Sequence, residues 1–145
     1  MSMKVHYSSN RMDWETPIEL FEAINREFHF TLDVCALADN AKCPRFFSPE
    51  DDGLTRSWGS DICWMNPPYG RVIGLWMKKA LTASERGATV VCLVPARTDT
   101  AWWHDYAMKA SERRFIRGRV RFVGAKSSAP FPSALVVFRP KPGGV

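Results

Sequence analysis

The spacing of apolar residues along the chain predicts helices that alternate with buried strands. Apolar side chains recur every three or four residues from Leu20 to Phe28, which is the period of a helix with one buried face. Continuous apolar runs instead indicate strands that are covered on both faces of a sheet. The predicted elements are, in chain order, a helix over 17–27, a strand over 30–35, a short strand at 45–48, a strand over 62–65, a helix over 71–85, a strand over 88–94, a helix over 99–110, and strands over 115–122 and 134–138.

Local signals refine the two ends of this pattern. Thr16 and Glu19 have the spacing of a capping box, and Pro17 between them suits the first position of a helix. In segment 115–122, apolar residues alternate with Arg117, Arg119 and Arg121, which predicts a half-exposed strand. The order of the elements predicts an α/β fold with a mainly parallel sheet, helices on both faces and a C-terminal antiparallel hairpin.

Length and composition narrow the class of protein. A chain of 145 residues has the size of one domain. We expect that domain over residues 14–140, with flexible ends at 1–13 and 141–145. The chain carries 20 Lys and Arg against 15 Asp and Glu, and this excess of five positive charges favours a polyanionic partner such as nucleic acid. No apolar stretch approaches the length of a membrane span, so no membrane partner is expected.

The cysteines do not have the spacing of a metal site. No two of them form a C-x2-C pair, and three sit in apolar strand-like runs, so we interpret them as reduced core residues and expect no metal. The four are Cys35, Cys43, Cys63 and Cys92.

Polar or rigid groups follow three of the predicted strands at the point where each strand ends. They begin at Asp33, at Asn66 and at Pro95. Ligands of open α/β sheets bind outside the carboxyl ends of the strands, so these groups are expected to meet at the site.

Segment 66–69 is the most informative of the three. Asn66 supplies an acceptor, and Pro67 and Pro68 fix the backbone so that the Pro67 carbonyl can point outward. With the ring of Tyr69, these groups fit a planar molecule that carries an NH2 group, such as the amino edge of adenine. The alternative is a rigid strand-to-helix turn with Tyr69 in the core.

The segment N-P-P-Y after an apolar strand resembles the N/D-P-P-Y/F motif of amino-methyltransferases that use S-adenosylmethionine (SAM). Nearly the whole chain resembles one family, the small phage-type DNA N6-adenine methyltransferases (Dam family). The segments that carry this resemblance are W-E-T-P-I-E-L-F at 14–21, F-T-L-D-V-C-A at 30–36, N-A-K-C at 40–43, F-F-S-P-E-D-D-G-L at 46–54, M-N-P-P-Y-G at 65–70, L-V-P-A-R-T-D-T-A-W-W-H at 93–104, and G-R-V-R-F with A-P-F-P-S-A-L-V-V-F at 118–138.

The resemblance implies a single Rossmann-like SAM methyltransferase domain that methylates the N6 amino group of adenine in DNA. It implies a phage or prophage origin, action in the cytoplasm of the bacterial host, and methylation that shields DNA from host nucleases. The implied catalytic residues are Asn66, Pro67, Pro68 and Tyr69, and the implied cofactor-binding residues are Thr16, Pro17, Asp33, Ala36, Asp51 or Asp52, and Leu54.

Basic residues provide candidate contacts to DNA. Arg117, Arg119 and Arg121 are placed to meet phosphates, and Arg97 follows the third strong strand on the side where DNA is expected. The alternative is that the alternating arginines protect an exposed edge strand from aggregation.

Two other functions stay open at this level. The same chemistry could act on an RNA base or a protein glutamine. The turn at 36–41 reads A-L-A-D-N-A and has no G-x-G, which leaves a non-catalytic DNA-binding derivative as a further reading. The amino-acid sequence does not determine the target DNA sequence. It does not determine the oligomeric state either, for which a monomer is one option.

Overall fold

A five-stranded mixed sheet forms the centre of the protein in the computed structural model, which describes residues 14–141. The strands are β1 (Leu32–Asp33), β2 (Ile62–Met65), β3 (Thr89–Pro95), β4 (Glu112–Phe115) and β5 (Ser133–Phe138). The helices are α1 (Ile18–Phe28), α2 (Ile73–Glu85) and α3 (Ala101–Asp105), with 3-10 turns at Gly53–Thr55 and Ala107–Lys109. The predicted flexible ends at 1–13 and 141–145 lie outside the described residues, except for Lys141.

The strand order is β1-β2-β3-β5-β4. β1, β2 and β3 run parallel, and β5 is inserted antiparallel between β3 and β4. The predicted α/β class, mainly parallel sheet and C-terminal antiparallel hairpin are confirmed, and the arrangement is consistent with a Rossmann-like methyltransferase fold. Because β2 and β3 are parallel, α2 serves as the crossover between them.

The first strand is shorter than the apolar run at 30–35 predicts. The carboxylate of Asp33 accepts hydrogen bonds from the backbone N–H groups of Cys35 (3.2 Å) and Lys42 (3.0 Å), and these bonds turn the chain away from the strand direction. The predicted strand at 45–48 is reduced to one parallel bridge between Phe46 and Asp33.

The prediction of a strand over 115–122 is wrong. The strand in this region is β4, which ends at Phe115, and the rest of the segment is a loop. Gly118 has a φ of +75° and turns the chain out of the sheet. The alternation that misled the prediction is nevertheless real, because Val120 and Phe122 are buried while Arg119 and Arg121 beside them face solvent.

The predicted capping box at the start of α1 is also wrong. Pro17 is the N-cap residue, and no side chain caps the helix. Thr16 is buried, and its hydroxyl accepts a hydrogen bond from Nδ2 of Asn66 instead of capping the helix. The predicted apolar face of α1 is confirmed, since Phe21, Ile24 and Phe28 are buried there.

Both faces of the central sheet are covered. Cys63, Trp64 and Met65 are all buried although successive strand residues point to opposite faces.

The predicted helix over 99–110 is split into α3 and the 3-10 turn that follows it.

The cysteines are buried free thiols, as predicted. Burial raises the pKa of Cys43 to about 12, and it raises the pKa of Cys63 and Cys92 further, so these thiols stay neutral at physiological pH. Within residues 14–141, no helix is both long and apolar enough to cross a bilayer.

Glu112 at the start of β4 is expected to make stability depend on acid pH. Hydrogen bonds from Arg114 (2.6 Å) and Arg139 (2.8 Å) lower its pKa from 4.5 to about 2. A depressed pKa contributes stability above the unfolded-state value, and that contribution is lost as the pH falls from 4.5 through about 2. Glu112→Gln should therefore lower the urea midpoint of unfolding at pH 6, and the difference from wild type should fade toward pH 2. Glu22→Gln on α1 serves as a control, and a Glu112→Gln effect that is the same at every pH would contradict the assignment.

Candidate active site

The segment Asn66–Tyr69 forms a rigid corner at the carboxyl edge of the parallel strands. β2 ends at Met65, and neither proline that follows can donate to a sheet ladder. Gly70 then turns the chain with a φ of +101°, and α2 begins at Ile73. The corner is well covered, with Asn66 only 7% and Tyr69 only 5% exposed.

The side-chain amide of Asn66 is held in one orientation. Its Nδ2 donates to the backbone carbonyl of Trp14 (2.7 Å) and to the hydroxyl of Thr16 (3.0 Å). A backbone carbonyl can only accept, so the nitrogen of the amide must face Trp14. The amide oxygen Oδ1 is thereby fixed on the other side, where the Tyr69 hydroxyl lies 3.0 Å away. One lone pair of Oδ1 is left for a second donor.

The ring of Tyr69 is enclosed by other aromatic rings. The Trp14 ring stacks on it at 5.9 Å with an interplanar angle of 22°. Phe122 and Phe131 meet it edge-on, and its hydroxyl lies 3.0 Å from the carbonyl of Leu93. In this structure the stacking face of Tyr69 is thus covered by Trp14.

A narrow cleft opens beside Asn66 at the carboxyl ends of β1 and β2. Its volume is about 10 Å³, which is room for about one water molecule. Two residues that line the cleft form an ion pair, in which the Lys42 ammonium lies 3.4 Å from the Glu15 carboxylate. The residues that line the cleft are Glu15, Thr16, Asp33, Cys35, Asn40, Lys42, Trp64 and Asn66.

The structure brings only two of the predicted cofactor residues to this cleft. Thr16 and Asp33 line it, and Asp33 also closes the loop from Cys35 to Lys42 through its two backbone hydrogen bonds. Ala36 is fully buried, and Pro17 does not line the cleft.

The acidic loop lies apart from Asn66. Asp51 accepts hydrogen bonds from the backbone and the hydroxyl of Ser48, which lower its pKa. Asp52, at a φ of +55°, accepts from the backbone N–H of Leu54 (3.3 Å). Leu54 lines a separate surface groove with Lys78 and Lys79 on α2. Asp51 and Asp52 therefore stabilise the shape of this loop, and none of the three predicted residues lines the Asn66 cleft.

Several residues at the site were not predicted from the sequence as site residues, among them Trp14, Glu15, Asn40 and Lys42. Trp14 and Glu15 directly precede Thr16, and Asn40 and Lys42 lie in the N-A-K-C segment. The nearest sequence signal was the position of these residues within the segments that resemble the Dam family. No spacing rule links them to Asn66.

The predicted DNA-contacting arginines are all exposed. The Arg97 guanidinium lies over the Phe131 ring at 5.6 Å. Arg119 and Arg121 donate to backbone carbonyls of the 116–132 loop at 3.4 Å, which leaves their remaining N–H groups to solvent. Arg117 lies on the same loop.

Comparison with known proteins places the chain in a family. A family model described as DNA N-6-adenine-methyltransferase (Dam) matches residues 5–141. The chain belongs to the Dam family. The resemblance read from the sequence segments is therefore confirmed.

Two phage proteins are similar to this chain. A DNA N-6-adenine-methyltransferase of Haemophilus phage HP1 (strain HP1c1) is 31% identical over 136 residues, covering 88% of this chain and 79% of the phage protein. A DNA N-6-adenine-methyltransferase of Escherichia phage T1 is 34% identical over 101 residues, covering 68% of this chain and 42% of the phage protein.

Gly53 in the acidic loop of this Dam-family chain is expected to tolerate no side chain. A Cβ there would lie 2.3 Å from the carbonyl oxygen of Val34. We expect Gly53→Ala to destabilise the fold by about 1–3 kcal/mol in urea unfolding, the usual cost of overpacking. In Gly74→Ala, the control on α2, the nearest heavy atom is at 3.5 Å, and helix propensity favours alanine by about 1 kcal/mol. Equal effects of the two variants would contradict this account of the loop.

Proposed function

We propose that this chain transfers a methyl group from SAM to the N6 amino group of adenine in DNA, and that residues 14–140 form the catalytic domain. Family membership supports the reaction and its substrate. The single structural observation that carries the site assignment is the fixed Asn66 amide, whose oxygen keeps a free lone pair at the carboxyl edge of the sheet.

The two acceptors of the corner would make the adenine nitrogen reactive. The N6 lone pair of adenine is delocalised into the ring. If Asn66 Oδ1 and the Pro67 carbonyl each accept one N–H, the nitrogen can pyramidalise and direct its lone pair outward. These groups position and polarise the amine, and no strong base is needed before attack because the proton can leave after transfer.

The donor set of the Asn66 cleft fits the methionine part of SAM. That part carries an ammonium and a carboxylate, and the cleft offers the carboxylates of Glu15 and Asp33, the Lys42 ammonium and the Asn40 amide. SAM, when bound, supplies an electrophilic methyl group on a sulfonium. We assign Thr16 and Asp33 to this side of the site. Pro17, Ala36, Asp51, Asp52 and Leu54 remain predicted cofactor residues, the last three on the adenine and ribose side.

Segment 14–16 has to move before both reactants can enter. Its Glu15 is paired with Lys42 across the cleft, and its Trp14 ring covers the face of Tyr69 on which a base would stack. A flipped adenine would take the place of the Trp14 ring on Tyr69. Flipping the base out of a duplex costs a few kcal/mol, which DNA contacts must offset. Arg97, Arg117, Arg119 and Arg121 are the predicted contacts.

The test is transfer of a radiolabelled methyl group from SAM to unmethylated DNA, RNA and protein in parallel. The proposal expects label in DNA alone. Label in RNA or protein instead would favour the same chemistry on another amino group. No label in any acceptor, together with no SAM binding by calorimetry, would favour the non-catalytic DNA-binding alternative.

The biological setting is part of the proposal. The phage origin of the relatives supports action in the cytoplasm of a bacterial host, where methylation would shield DNA from host nucleases.

A further inference from the structure

A second, larger cleft begins directly after the Asn66–Tyr69 corner. It is lined by Gly70 and Arg71, which directly follow the corner, and by Arg97, Thr100 and Trp102, which follow β3. Its volume is about 410 Å³, which is within the range of ligand-binding clefts and far above that of the Asn66 cleft. The corner is therefore next to a small cleft of mixed charge and a large cleft that two arginines line.

The charge of the large cleft is uncompensated. Arg71 and Arg97 both face solvent, and neither forms an ion pair with any residue of 14–141. No acidic side chain lines the cleft. Two guanidinium groups in one cleft with no counter-ion fit a phosphate backbone that runs along it.

An aromatic side chain completes the cleft. Trp102 is half-buried, and its ring meets the buried Trp103 ring edge-on at 5.7 Å. A Cβ on Gly74 would lie 3.5 Å from the Cβ of Trp102, so α3 packs against α2 at this point. A half-buried tryptophan in the lining of the cleft is suited to stack on a nucleic-acid base.

Another basic cavity of the described chain provides a contrast. It contains Lys109, Arg139 and Lys141, but Glu85 lines it too, and Arg139 is paired with Glu112. It lies beside the end of β5, at the edge of the sheet opposite to the corner. Its charge is partly neutralised, and it is remote from Asn66.

We propose that the cleft between Arg71 and Arg97 binds the DNA strand next to the target adenine, with the two arginines on its phosphates and Trp102 stacked on a neighbouring base. DNA and cofactor would then reach the corner through two different clefts. This inference rests on the proposed function, since it takes DNA as the substrate.

The test compares two double variants that lose the same charge. Binding of the full chain to a fluorescent DNA duplex is measured by anisotropy over a range of salt concentrations, without SAM. Arg71→Ala with Arg97→Ala should weaken binding by about tenfold or more and lower the slope of log K against log salt by about 2, close to 0.9 for each lost phosphate contact. Lys109→Ala with Lys141→Ala should change the affinity by less than about threefold. Equal losses in the two double variants, or no loss from the cleft pair, would overturn the proposal.

Trp102 is tested by a conservative pair. Trp102→Ala should weaken DNA binding with little change in the salt slope, and Trp102→Phe should restore most of the affinity because the stacking face is kept. Thermal unfolding of both variants shows whether the fold is intact. If Trp102→Phe binds no better than Trp102→Ala while both are folded, the stacking role is wrong.

The outcomes separate this inference from the proposed function. If the wild-type chain binds DNA through the cleft but transfers no methyl group to it, the proposed function is wrong and the DNA-binding role of the cleft is supported. A wild-type chain that methylates DNA, with an unchanged KM for DNA in the cleft double variant, keeps the function and rejects the cleft.

Discussion

Replacing Asn66 by alanine is expected to lower kcat/KM for methyl transfer to DNA by roughly 30- to 1000-fold, or about 2–4 kcal/mol of transition-state stabilisation. The variant removes the fixed acceptor Oδ1 from the corner, so one N–H of the adenine amine has no partner as the nitrogen pyramidalises. The measurement is initial-rate transfer of labelled methyl groups at several DNA concentrations.

The control is Asn25→Ala, which makes the same chemical change away from the site. Asn25 accepts from the backbone N–H of Phe30 (2.7 Å) at the end of α1, so its loss should affect stability but not kcat/KM of the folded protein. Undiminished transfer by folded Asn66→Ala would reject the catalytic assignment.

Replacing Asn66 by aspartate is expected to impair the enzyme at neutral pH although a carboxylate is a good acceptor. One carboxylate oxygen would replace Nδ2 and face the Trp14 carbonyl, which lies 2.7 Å from that position. Two acceptors at that distance repel each other, and the Thr16 hydroxyl, which accepts a hydrogen bond from Asn66, has to turn and donate instead. We expect a loss of about 1–3 kcal/mol in stability at pH 7, the cost of a poorly paired buried polar group.

The sign of the pH dependence is a specific feature of this variant. Repulsion from the Trp14 carbonyl raises the pKa of the new carboxyl group in the folded state above its unfolded value. A proton on that group restores a donor toward Trp14, so the deficit relative to wild type is smallest at acid pH and grows as the pH rises through the folded-state pKa. Urea unfolding of both proteins from pH 4 to 8 measures it. A deficit that shrinks with rising pH would contradict the orientation of the amide.

Sequence reasoning was most accurate where one local property decides the structure. β2 was predicted with its observed bounds because an apolar run buried on both faces is followed by two prolines that cannot continue it. The corner at Asn66 was predicted from the same apolar run and the same two prolines. The prediction of a strand over 115–122 is wrong because a period of two indicates only that alternate residues are buried. The loop that Gly118 turns shows the same alternation without a sheet partner.

The contacts that orient Asn66 could not be predicted in the same way. Its donors reach Trp14 and Thr16, which lie 52 and 50 residues away in the chain. The partner at Trp14 is a backbone carbonyl, which every residue has and no sequence pattern marks. At Thr16 the local signal predicted a helix cap, but the long-range hydrogen bond is the one that forms.

Identification of the methylated atom shows whether this corner acts on the exocyclic amine of adenine. Duplex DNA treated with the wild-type chain and SAM is digested to nucleosides and analysed by mass spectrometry against standards. We expect N6-methyldeoxyadenosine as the methylated nucleoside. Methylation of cytosine or of a ring carbon, with none at adenine N6, would contradict this expectation.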